Sequence, residues 1–376
     1  MINPFISSEK IIPEYFCDRR DESRTLIKYL VNGNNVVLIS PRRVGKTGLI
    51  QYCFAQEELK DNYITIYTDI LSTTNLQEMI FLLGKTIYKA IQPMGLRVVQ
   101  SFFRTLKSLQ GKLGYDPVTG QPTFNLQLGD ISAPEYTLEE IFKYLGSAPK
   151  PCIVAIDEFQ QIGRYPEKNV EALIRSHILQ SNNCRFIFSG SERHLLREMF
   201  FNSSRPFYQS AAVLELDVIP EQIYTDFIMA MFNKGNKTIE EETAKYIYGL
   251  FDGITYYVQR ICNEVYSDTA DGQTVTEEIL DNSIQSVIYS YDLIFRNQLA
   301  DISAKQKETL FAIASEGKAE GVMSDNFIKK YSLTSSSSVQ AAIRQLTNKG
   351  ILTRIDDYYM VYDRFFGLWI KWNYCQ

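Results

Sequence analysis

Apolar runs of strand length alternate with helical patterns through the first 219 residues of the chain. One run has four consecutive apolar residues, 153–156, which is typical of a strand covered on both faces. Because helical segments separate most of the runs, the pattern predicts an α/β fold with a parallel five-stranded sheet flanked by helices. The predicted strands are NVVLIS (Asn35–Ser40), NYITIYTDI (Asn62–Ile70), CIVAID (Cys152–Asp157), RFIFSGS (Arg185–Ser191) and AVLELDVI (Ala212–Ile219).

Beyond Pro220 the pattern is helical and without strands up to about residue 300. From about Ala304, three helical segments and two short strands follow in the order of a winged helix-turn-helix, with the recognition helix near Ser335–Asn348. A Gly/Pro-punctuated segment, Tyr115–Asp130, predicts a small hairpin or excursion. We therefore expect three parts: an α/β core (1–219), an all-α segment (220–300) and a winged-helix domain (301–376).

Composition narrows the class of protein. With 376 residues, 45% hydrophobic and 22% charged, the chain resembles an ordinary soluble protein of two or three domains. The six cysteines are far apart and form no CxxC pair, so we expect no structural zinc. The absence of a secretory leader and of a bilayer-length apolar run predicts a cytoplasmic protein with no membrane partner. A net charge of −5 disfavours nucleic-acid binding over the whole surface but allows a local basic face.

The segment SPRRVGKT follows the first strand and precedes a helix, as in a phosphate-binding loop. Gly45 lets the backbone turn its N–H groups inward, Lys46 places a charge on the β- and γ-phosphates, and Thr47 reaches Mg²⁺. Ser40 occupies the position of the first glycine, and it would be strained if that position needs a positive φ. The predicted ATP-binding residues are Pro41, Arg42, Arg43, Val44, Gly45, Lys46, Thr47 and Gly48.

Two acids end the predicted buried strand CIVAID. Asp157 is placed to hold Mg²⁺ through water, so Thr47 and Asp157 are the predicted metal residues. Glu158 is placed to polarise the attacking water, which favours hydrolysis over mere nucleotide binding. The alternative is a strand that ends in solvated acids. The phosphate loop upstream favours the functional interpretation.

Several motifs together resemble the archaeal-type branch of P-loop ATPases. That branch belongs to the signal-transduction ATPases with numerous domains (STAND) and is related to the AAA+ origin-recognition initiators. The motifs are FCDRRDE, SPRRVGKT, VAIDEFQQI, FIFSGSERHLL, SSRPFYQSA, FDGITYYVQ and DRFFGLWIKW. They run almost from end to end of the chain, and their order is more specific than any one of them.

The resemblance implies further roles in catalysis. Ser191, or Ser189 beside it, matches a polar sensor that touches the γ-phosphate or the water; the alternative is a polar strand end. Arg205 matches an arginine that reaches a γ-phosphate in its own subunit or a neighbour's; the alternative is an ordinary surface arginine. Thr255 replaces the proline of a lid signature. The predicted catalytic residues are Lys46, Glu158, Ser191 and Arg205.

The resulting hypothesis is a Mg-dependent ATPase that works as a slow molecular switch. ATP would close the helical segment as a lid, and hydrolysis would reopen it and change the exposure of the winged-helix tail. The expected partners are ATP, Mg²⁺ and another protein or a second copy of the chain.

Two alternatives remain at this point. One is a nucleotide-gated protein that binds duplex DNA through the winged helix, akin to replication initiators. The tail holds ten Lys/Arg against eight Asp/Glu, and Asp356 and Asp357 lie at the tip of the predicted wing, where they would repel phosphate. The other is a scaffold that holds nucleotide without hydrolysing it.

Overall fold

The computed structural model describes residues 3–5, 13–109, 114–115, 122–123 and 127–375. The chain divides into two compact units. We call Ser8–Ile219 the sheet unit, and Pro220–Gln376 together with Met1–Ser7 the helical unit. Within the described part of the chain, every helix is too short or too polar to span a bilayer.

The sheet unit alternates strands and helices. Its strands are β1 (Val36–Ile39), β2 (Ile64–Asp69), β3 (Gly114–Tyr115), β4 (Pro122–Thr123), β5 (Cys152–Asp157), β6 (Cys184–Gly190) and β7 (Ala212–Glu215). Its α-helices are α1 (Arg20–Val31), α2 (Lys46–Ala55), α3 (Glu57–Lys60), α4 (Leu76–Ile91), α5 (Leu96–Thr105), α6 (Pro134–Ser147), α7 (Val170–Gln180) and α8 (Arg193–Phe201). Short 3₁₀ turns cover Pro13–Tyr15, Gln92–Met94, Lys107–Leu109, Leu128–Asp130 and Phe159–Arg164.

The predicted five-stranded parallel sheet is confirmed. Its strand order is β2-β5-β6-β1-β7, and each neighbouring pair is parallel. Burial explains why the sequence showed these strands. The inner strands β1 and β5 are buried at every position, so their sequences consist mainly of consecutive apolar residues. Burial alternates along the edge strands β2 and β7.

Helices cover both faces of this sheet, as the alternating pattern predicts. On one face Val37 and Ile39 of β1 join a core with residues of α4–α8, and on the other Val36 and Leu38 join a core with residues of α1, α2 and α3. The predicted hairpin is described in part. β3 and β4 pair antiparallel, while residues 116–121 and 124–126 lie outside the described residues.

The helical unit is built from short helices and one small sheet. Its helices are α9 (Glu221–Lys234), α10 (Glu241–Leu250), α11 (Thr255–Asp268), α12 (Glu277–Tyr289), α13 (Asp292–Ala300), α14 (Ala304–Glu316), α15 (Asp325–Lys330), α16 (Ser336–Asn348) and α17 (Arg364–Tyr374). Its strands are β8 (Ala319–Glu320), β9 (Leu352–Ile355) and β10 (Tyr358–Val361). Residues 3–5 belong to this unit, where the Phe5 ring packs against Phe232 and Tyr266.

The winged helix is confirmed, with one strand more than the sequence predicts. Helices α14, α15 and α16 precede the strands β9 and β10, and β8 completes a three-stranded antiparallel sheet in the order β8-β10-β9. β8 has only two residues, so its sequence carries no alternation to find. The aromatic final helix α17 packs within this unit, where Trp369 donates to Asp292 at 3.0 Å and Phe365 contacts Phe251 and Tyr257.

In the segment DGIT, Thr255 occupies the position for which the resemblance calls for proline. Asp252 and Gly253 both adopt positive φ, 52° and 67°, and a Cβ on Gly253 would lie 2.4 Å from the Tyr248 ring. Thr255 is the first residue of α11. Proline suits the first position of a helix, because the N–H group that it lacks would have no intrahelical partner there. With threonine at this position, α11 still begins at residue 255.

The aromatic cluster beside the central strand β6 generates a stability prediction. Phe188 is fully buried, and its ring contacts those of Phe159, Phe200 and Phe207. Phe188→Ala should lower the free energy of unfolding by about 3–5 kcal/mol, because it leaves a cavity among these rings. Urea denaturation measures this loss. Leu179→Ala is the matched control, since this helical residue is 62% exposed, and a Phe188→Ala loss as small as the control's would contradict the prediction.

Candidate functional site

All of the predicted site residues except Arg205 lie at one edge of the sheet. The loop of residues 40–45 follows β1, Asp157 ends β5, and Ser189 and Ser191 lie at the end of β6. Because β1, β6 and β5 are parallel neighbours, their carboxyl ends meet at the same edge. The topology therefore brings together segments that are far apart in sequence.

The loop after β1 turns through left-handed backbone at two positions. Arg43 has φ 67° and Gly45 has φ 97°, and α2 begins immediately afterwards at Lys46. Ser40 does not adopt a positive φ. Its side chain is buried, and its hydroxyl donates to the Pro41 carbonyl at 3.0 Å. The strain considered for Ser40 is therefore absent, because the left-handed conformation falls on other residues.

Two cationic side chains approach this loop from the protein interior. Lys46 is buried; burial lowers the pKa of its ammonium group, and the nearby Asp157 and Glu158 carboxylates oppose this effect. Arg19, also buried, donates from Nη2 to the Val44 carbonyl at 3.2 Å and from Nη1 to Glu22 at 2.9 Å. Arg19 thus holds the Val44 carbonyl of the loop, while the first turn of α2 carries Lys46, Thr47 and Gly48.

Asp157 is buried and accepts four hydrogen bonds. Oδ1 accepts from the Ser189 hydroxyl at 2.7 Å and from the Glu158 N–H at 3.0 Å. Oδ2 accepts from the Tyr67 hydroxyl at 2.6 Å and from the Thr47 hydroxyl at 3.2 Å. A carboxylate offers about four lone-pair sites, so this set satisfies it. The two predicted metal residues, Thr47 and Asp157, are in direct contact.

Glu158 occupies a sharp turn directly after β5. Its backbone is left-handed, with φ 55° and ψ 40°, which is uncommon for a residue with a side chain. Its Oε2 accepts from the Ser191 hydroxyl at 2.7 Å, from the Ser191 N–H at 3.2 Å and from the Gln160 amide at 2.6 Å. The structure therefore brings the predicted base and the predicted sensor together.

Arg42 links the loop to the same cluster. Its Nε donates to the Ser191 hydroxyl at 2.8 Å, and its Nη2 lies 4.0 Å from Glu192. Arg164 donates to both oxygens of Glu192, at 2.8 and 2.7 Å. Two hydrogen bonds, from Arg42 to Ser191 and from Ser191 to Glu158, therefore connect the loop with Glu158.

Arg205 is engaged elsewhere. Its guanidinium donates to Glu171 of α7 and lies 3.4 Å from Glu198 of α8. Both of these contacts are with helices flanking the sheet and neither is with the phosphate loop. Whether Arg205 acts on a nucleotide stays a prediction, and its ion pairs supply a structural role in addition.

Sequence reasoning missed two polar side chains of the site. Tyr67 contacts both predicted metal residues, and its distance to the Thr47 hydroxyl is 3.4 Å. Alternation along β2 was a usable signal, because it places Tyr67 on the face that packs against α2. Burial, with a smaller effect of Asp157, raises the pKa of Tyr67, so its hydroxyl stays a proton donor. Gln160 lies in a 3₁₀ turn whose sequence carries no such periodicity.

The oxygen atoms of Thr47 and Asp157 suit a hard cation better than a soft one. A hydroxyl and a carboxylate are oxygen ligands of the kind that Mg²⁺ prefers. Among the described residues, no group of three or more His, Cys, Asp or Glu side chains is placed to hold a metal. A cation here would therefore depend on Thr47, Asp157, water and the oxygens of a bound phosphate, which is typical of metal sites in phosphoryl transfer.

Two protein-family models match this chain. Residues 16–261 match the family model described as "ATPase domain predominantly from Archaea". Residues 293–372 match the model described as "Probable winged helix domain". Among curated proteins, none matches the chain.

Solved structures share the fold at low sequence identity. A Walker-type ATPase of Pyrococcus abyssi has a TM-score of 0.64 and 20% identity, over 98% of this chain and 99% of that one. The ORC2 protein of Aeropyrum pernix, in ADPNP–ADP complexes, has a TM-score of 0.61 and 13% identity, over 99% and 97%. The ORC1 protein of the same organism, in complex with DNA, has a TM-score of 0.51 and 13% identity, over 96% and 95%. At these identities the likeness concerns the fold alone.

The partners of Arg205 generate a prediction about its structural role. Arg205→Ala should lower the free energy of unfolding by about 1–2 kcal/mol, because it leaves Glu171, whose side chain is 12% exposed, without its cation. Arg197→Ala is the matched control: its pair with Glu215 is exposed, so the change should stay within about 0.5 kcal/mol. Equal effects in urea denaturation would contradict the structural role of Arg205.

The contribution of the Glu171–Arg205 pair to the free energy of unfolding should depend on pH. Burial raises the pKa of Glu171, against the opposing effect of Arg205. The folded chain therefore binds this proton more tightly than the unfolded chain, so the group favours folding at acidic pH and opposes it as pH rises through the raised pKa. The loss caused by Arg205→Ala should shrink as Glu171 becomes protonated. A loss that grows on acidification would contradict this.

Proposed function

We propose a function from one premise: the chain belongs to the family of ATPase domains found predominantly in Archaea. It binds ATP together with Mg²⁺ and hydrolyses the nucleotide slowly, as a molecular switch. One arrangement carries this proposal. The buried Lys46 follows the left-handed turn at Gly45, and it lies beside Asp157, which contacts the Thr47 hydroxyl, and beside Glu158.

The loop and the start of α2 bind the triphosphate. The N–H groups of the first turn of α2 have no intrahelical partner, and the positive end of the helix dipole favours an anion there. Pro41, Arg42, Arg43 and Val44 shape the loop before Gly45. Lys46 supplies the positive charge. An anion bound beside Lys46 favours its protonated form and so opposes the effect of burial on its pKa.

Thr47 and Asp157 hold the cation of the nucleotide complex. When bound, Mg²⁺ supplies neutralisation of the charge on the β- and γ-phosphate oxygens. Thr47 offers its hydroxyl oxygen, and Asp157 acts through a water that would take the place of one of its present donors. The donors from Tyr67, Ser189 and the Glu158 backbone keep the carboxylate of Asp157 oriented toward Thr47.

Glu158 orients the attacking water and accepts its proton. Its Oε2 is held by Ser191 and Gln160, and within the described residues no donor contacts Oε1. Ser191 contacts the γ-phosphate as a sensor and connects it with Glu158, since its hydroxyl donates to Glu158 and also accepts a hydrogen bond from Arg42 of the loop. Arg205 would add positive charge in this subunit or from a neighbouring copy.

The switch requires the nucleotide state to reach the winged helix. The proposed nucleotide residues all lie in the sheet unit, and the winged helix lies in the helical unit. In this proposal the segment 220–300 responds as a lid, and the exposure of the winged-helix tail to a protein partner or to a second copy depends on the nucleotide. Membership of the STAND or AAA+ groups is part of the proposal.

Two substitutions test the assignment directly. Lys46→Ala should abolish ATP binding, because it removes the charge that the loop places on the phosphates. Glu158→Gln should retain binding and lose hydrolysis, because an amide cannot accept the proton. Isothermal titration measures binding, and phosphate release measures turnover.

Surface residues provide the controls for these substitutions. Lys60→Ala and Glu57→Gln change exposed side chains of α3 and should leave both measurements unchanged. Normal hydrolysis by Glu158→Gln would refute its role as the base. Binding without any phosphate release by the unmodified protein would favour the scaffold that holds nucleotide without turnover.

A second candidate function is nucleotide-gated binding of duplex DNA. The winged-helix match and the likeness to a DNA-bound ORC1 structure favour it, although that likeness concerns the fold. On α16, Gln340 and Arg344 are exposed. Against it, Asp356 and Asp357 are exposed at the β9–β10 turn, and the Arg354 guanidinium lies 3.7 Å from the Asp357 carboxylate. The acidic wing tip therefore weakens the field that would attract a phosphate backbone.

A mobility-shift assay on duplex DNA separates the two functions. If the winged helix binds DNA, a shift should appear at low salt, weaken as salt rises, depend on ATP and diminish in Arg344→Ala. Lys305→Ala, an exposed residue of α14, is the control of equal charge change. The absence of any shift at low salt, with and without ATP, would remove this candidate.

A further inference from the structure

We infer that Gln160 is a positioning residue that fixes the carboxylate of Glu158 for its work as a base. This inference rests on the proposed function and adds to it a side chain outside the predicted set. Gln160 is 1% exposed and lies in the 3₁₀ turn Phe159–Arg164, which begins directly after Glu158. It is therefore a buried polar side chain next to the reacting group.

The backbone brings the two side chains together. The left-handed conformation of Glu158 turns the chain back at the end of β5, and the Gln161 N–H donates to the Glu158 carbonyl at 2.9 Å. This places the Gln160 amide nitrogen 2.6 Å from Glu158 Oε2. Together with the two donors of Ser191, Gln160 saturates one oxygen of the carboxylate. Rotation of the carboxylate away from this orientation would break all three bonds, and Oε1, which has no donor among the described residues, is the oxygen that we assign to the attacking water.

The orientation of the Gln160 amide follows from the acceptor that it meets. An ionised carboxylate only accepts hydrogen bonds, so the amide has to present its nitrogen to Glu158. Its own oxygen, Oε1, is then buried without a partner. A buried acceptor without a partner carries a desolvation cost that an apolar side chain of the same size would avoid. Packing alone therefore does not account for a glutamine at this position.

Gly190 gives independent support, because its missing side chain makes room for Gln160. A Cβ on Gly190 would lie 1.9 Å from Gln160 Oε1 and 3.0 Å from Leu196 Cδ1. Gly190 does not adopt a positive φ, so space and not backbone conformation requires glycine here. The end of β6 is thus shaped around the Gln160 amide on one face and around Asp157 on the other, through Ser189.

Steady-state ATP hydrolysis by Gln160→Leu tests the inference. Leucine keeps the volume and removes the donor, so kcat should fall about tenfold, because the base is then less well oriented. KM for ATP should stay within about twofold, because among the described residues Gln160 makes no hydrogen bond to a proposed phosphate-binding residue. The melting temperature should not fall, since the substitution also removes the unsatisfied oxygen. Gly190→Ala displaces the amide without changing residue 160 and should lower kcat in the same way.

Gln161→Leu is the matched control. It removes a neighbouring amide from the same turn, but that amide donates to the Thr73 carbonyl at 2.9 Å and not to Glu158. Its kcat should stay within about twofold of the unmodified protein. In addition, the double variant Glu158→Gln with Gln160→Leu should be no slower than Glu158→Gln alone, because a positioning residue acts only through the group that it positions.

The outcomes separate this inference from the proposed function. If Glu158→Gln is inactive while Gln160→Leu turns over at or above the normal rate, the inference is overturned and the proposed function stands. The inference is likewise overturned, with the proposed function intact, if Gln161→Leu loses as much activity as Gln160→Leu. If Glu158→Gln itself hydrolyses ATP normally, the base assignment fails and the inference fails with it.

Discussion

The buried carboxylate of Asp157 is the constraint on which the chemistry of the sheet unit depends. Four donors meet it, from Thr47 at the start of α2, from Tyr67 of β2, from Ser189 of β6 and from the next backbone N–H. A buried carboxylate without such partners would cost several kcal/mol, so the same contacts that stabilise the fold also define the site. Its contact with Thr47 joins the start of α2 to the sheet's acidic edge, beside the link from Arg42 to Ser191, and the proposed magnesium position follows from that contact.

Charged side chains and residues with left-handed backbone lie together at this edge of the sheet. Lys46 lies buried beside Asp157 and Glu158, so the positive charge that would meet a triphosphate is balanced by acids before the nucleotide arrives. Left-handed backbone occurs at Arg43, Gly45 and Glu158, in the two turns that present these groups. Such conformations are characteristic of functional turns that the surrounding structure holds in place. The chain thereby trades some stability for a prearranged site, which is the physical basis of the proposed ATPase activity.

Much of this arrangement could be predicted from the sequence, for physical reasons that differ from residue to residue. Strand β5 is buried on both faces, so it is written as an apolar run, and the acids that end it stand out. The phosphate loop depends on local backbone chemistry, which a short motif records. Only the resemblance points to Ser191, and the structure adds its bonds to Glu158 and Arg42. Gln160 reaches Glu158, two residues away, only because Glu158 adopts a left-handed turn, and Arg205 pairs with Glu171 of a helix distant in sequence; nothing in the local pattern encodes either contact.

The central claim is that the edge around Asp157 and Lys46 grips a magnesium nucleotide. The most direct measurement is the melting temperature of the unmodified protein with ATP and Mg²⁺, compared with ATP in excess chelator. At a nucleotide concentration of about 100 times Kd, binding adds about 2.7 kcal/mol to the free energy of unfolding. We therefore expect a clear rise in melting temperature that the chelator reduces. No rise at millimolar magnesium nucleotide, together with no heat on titration, would contradict the claim.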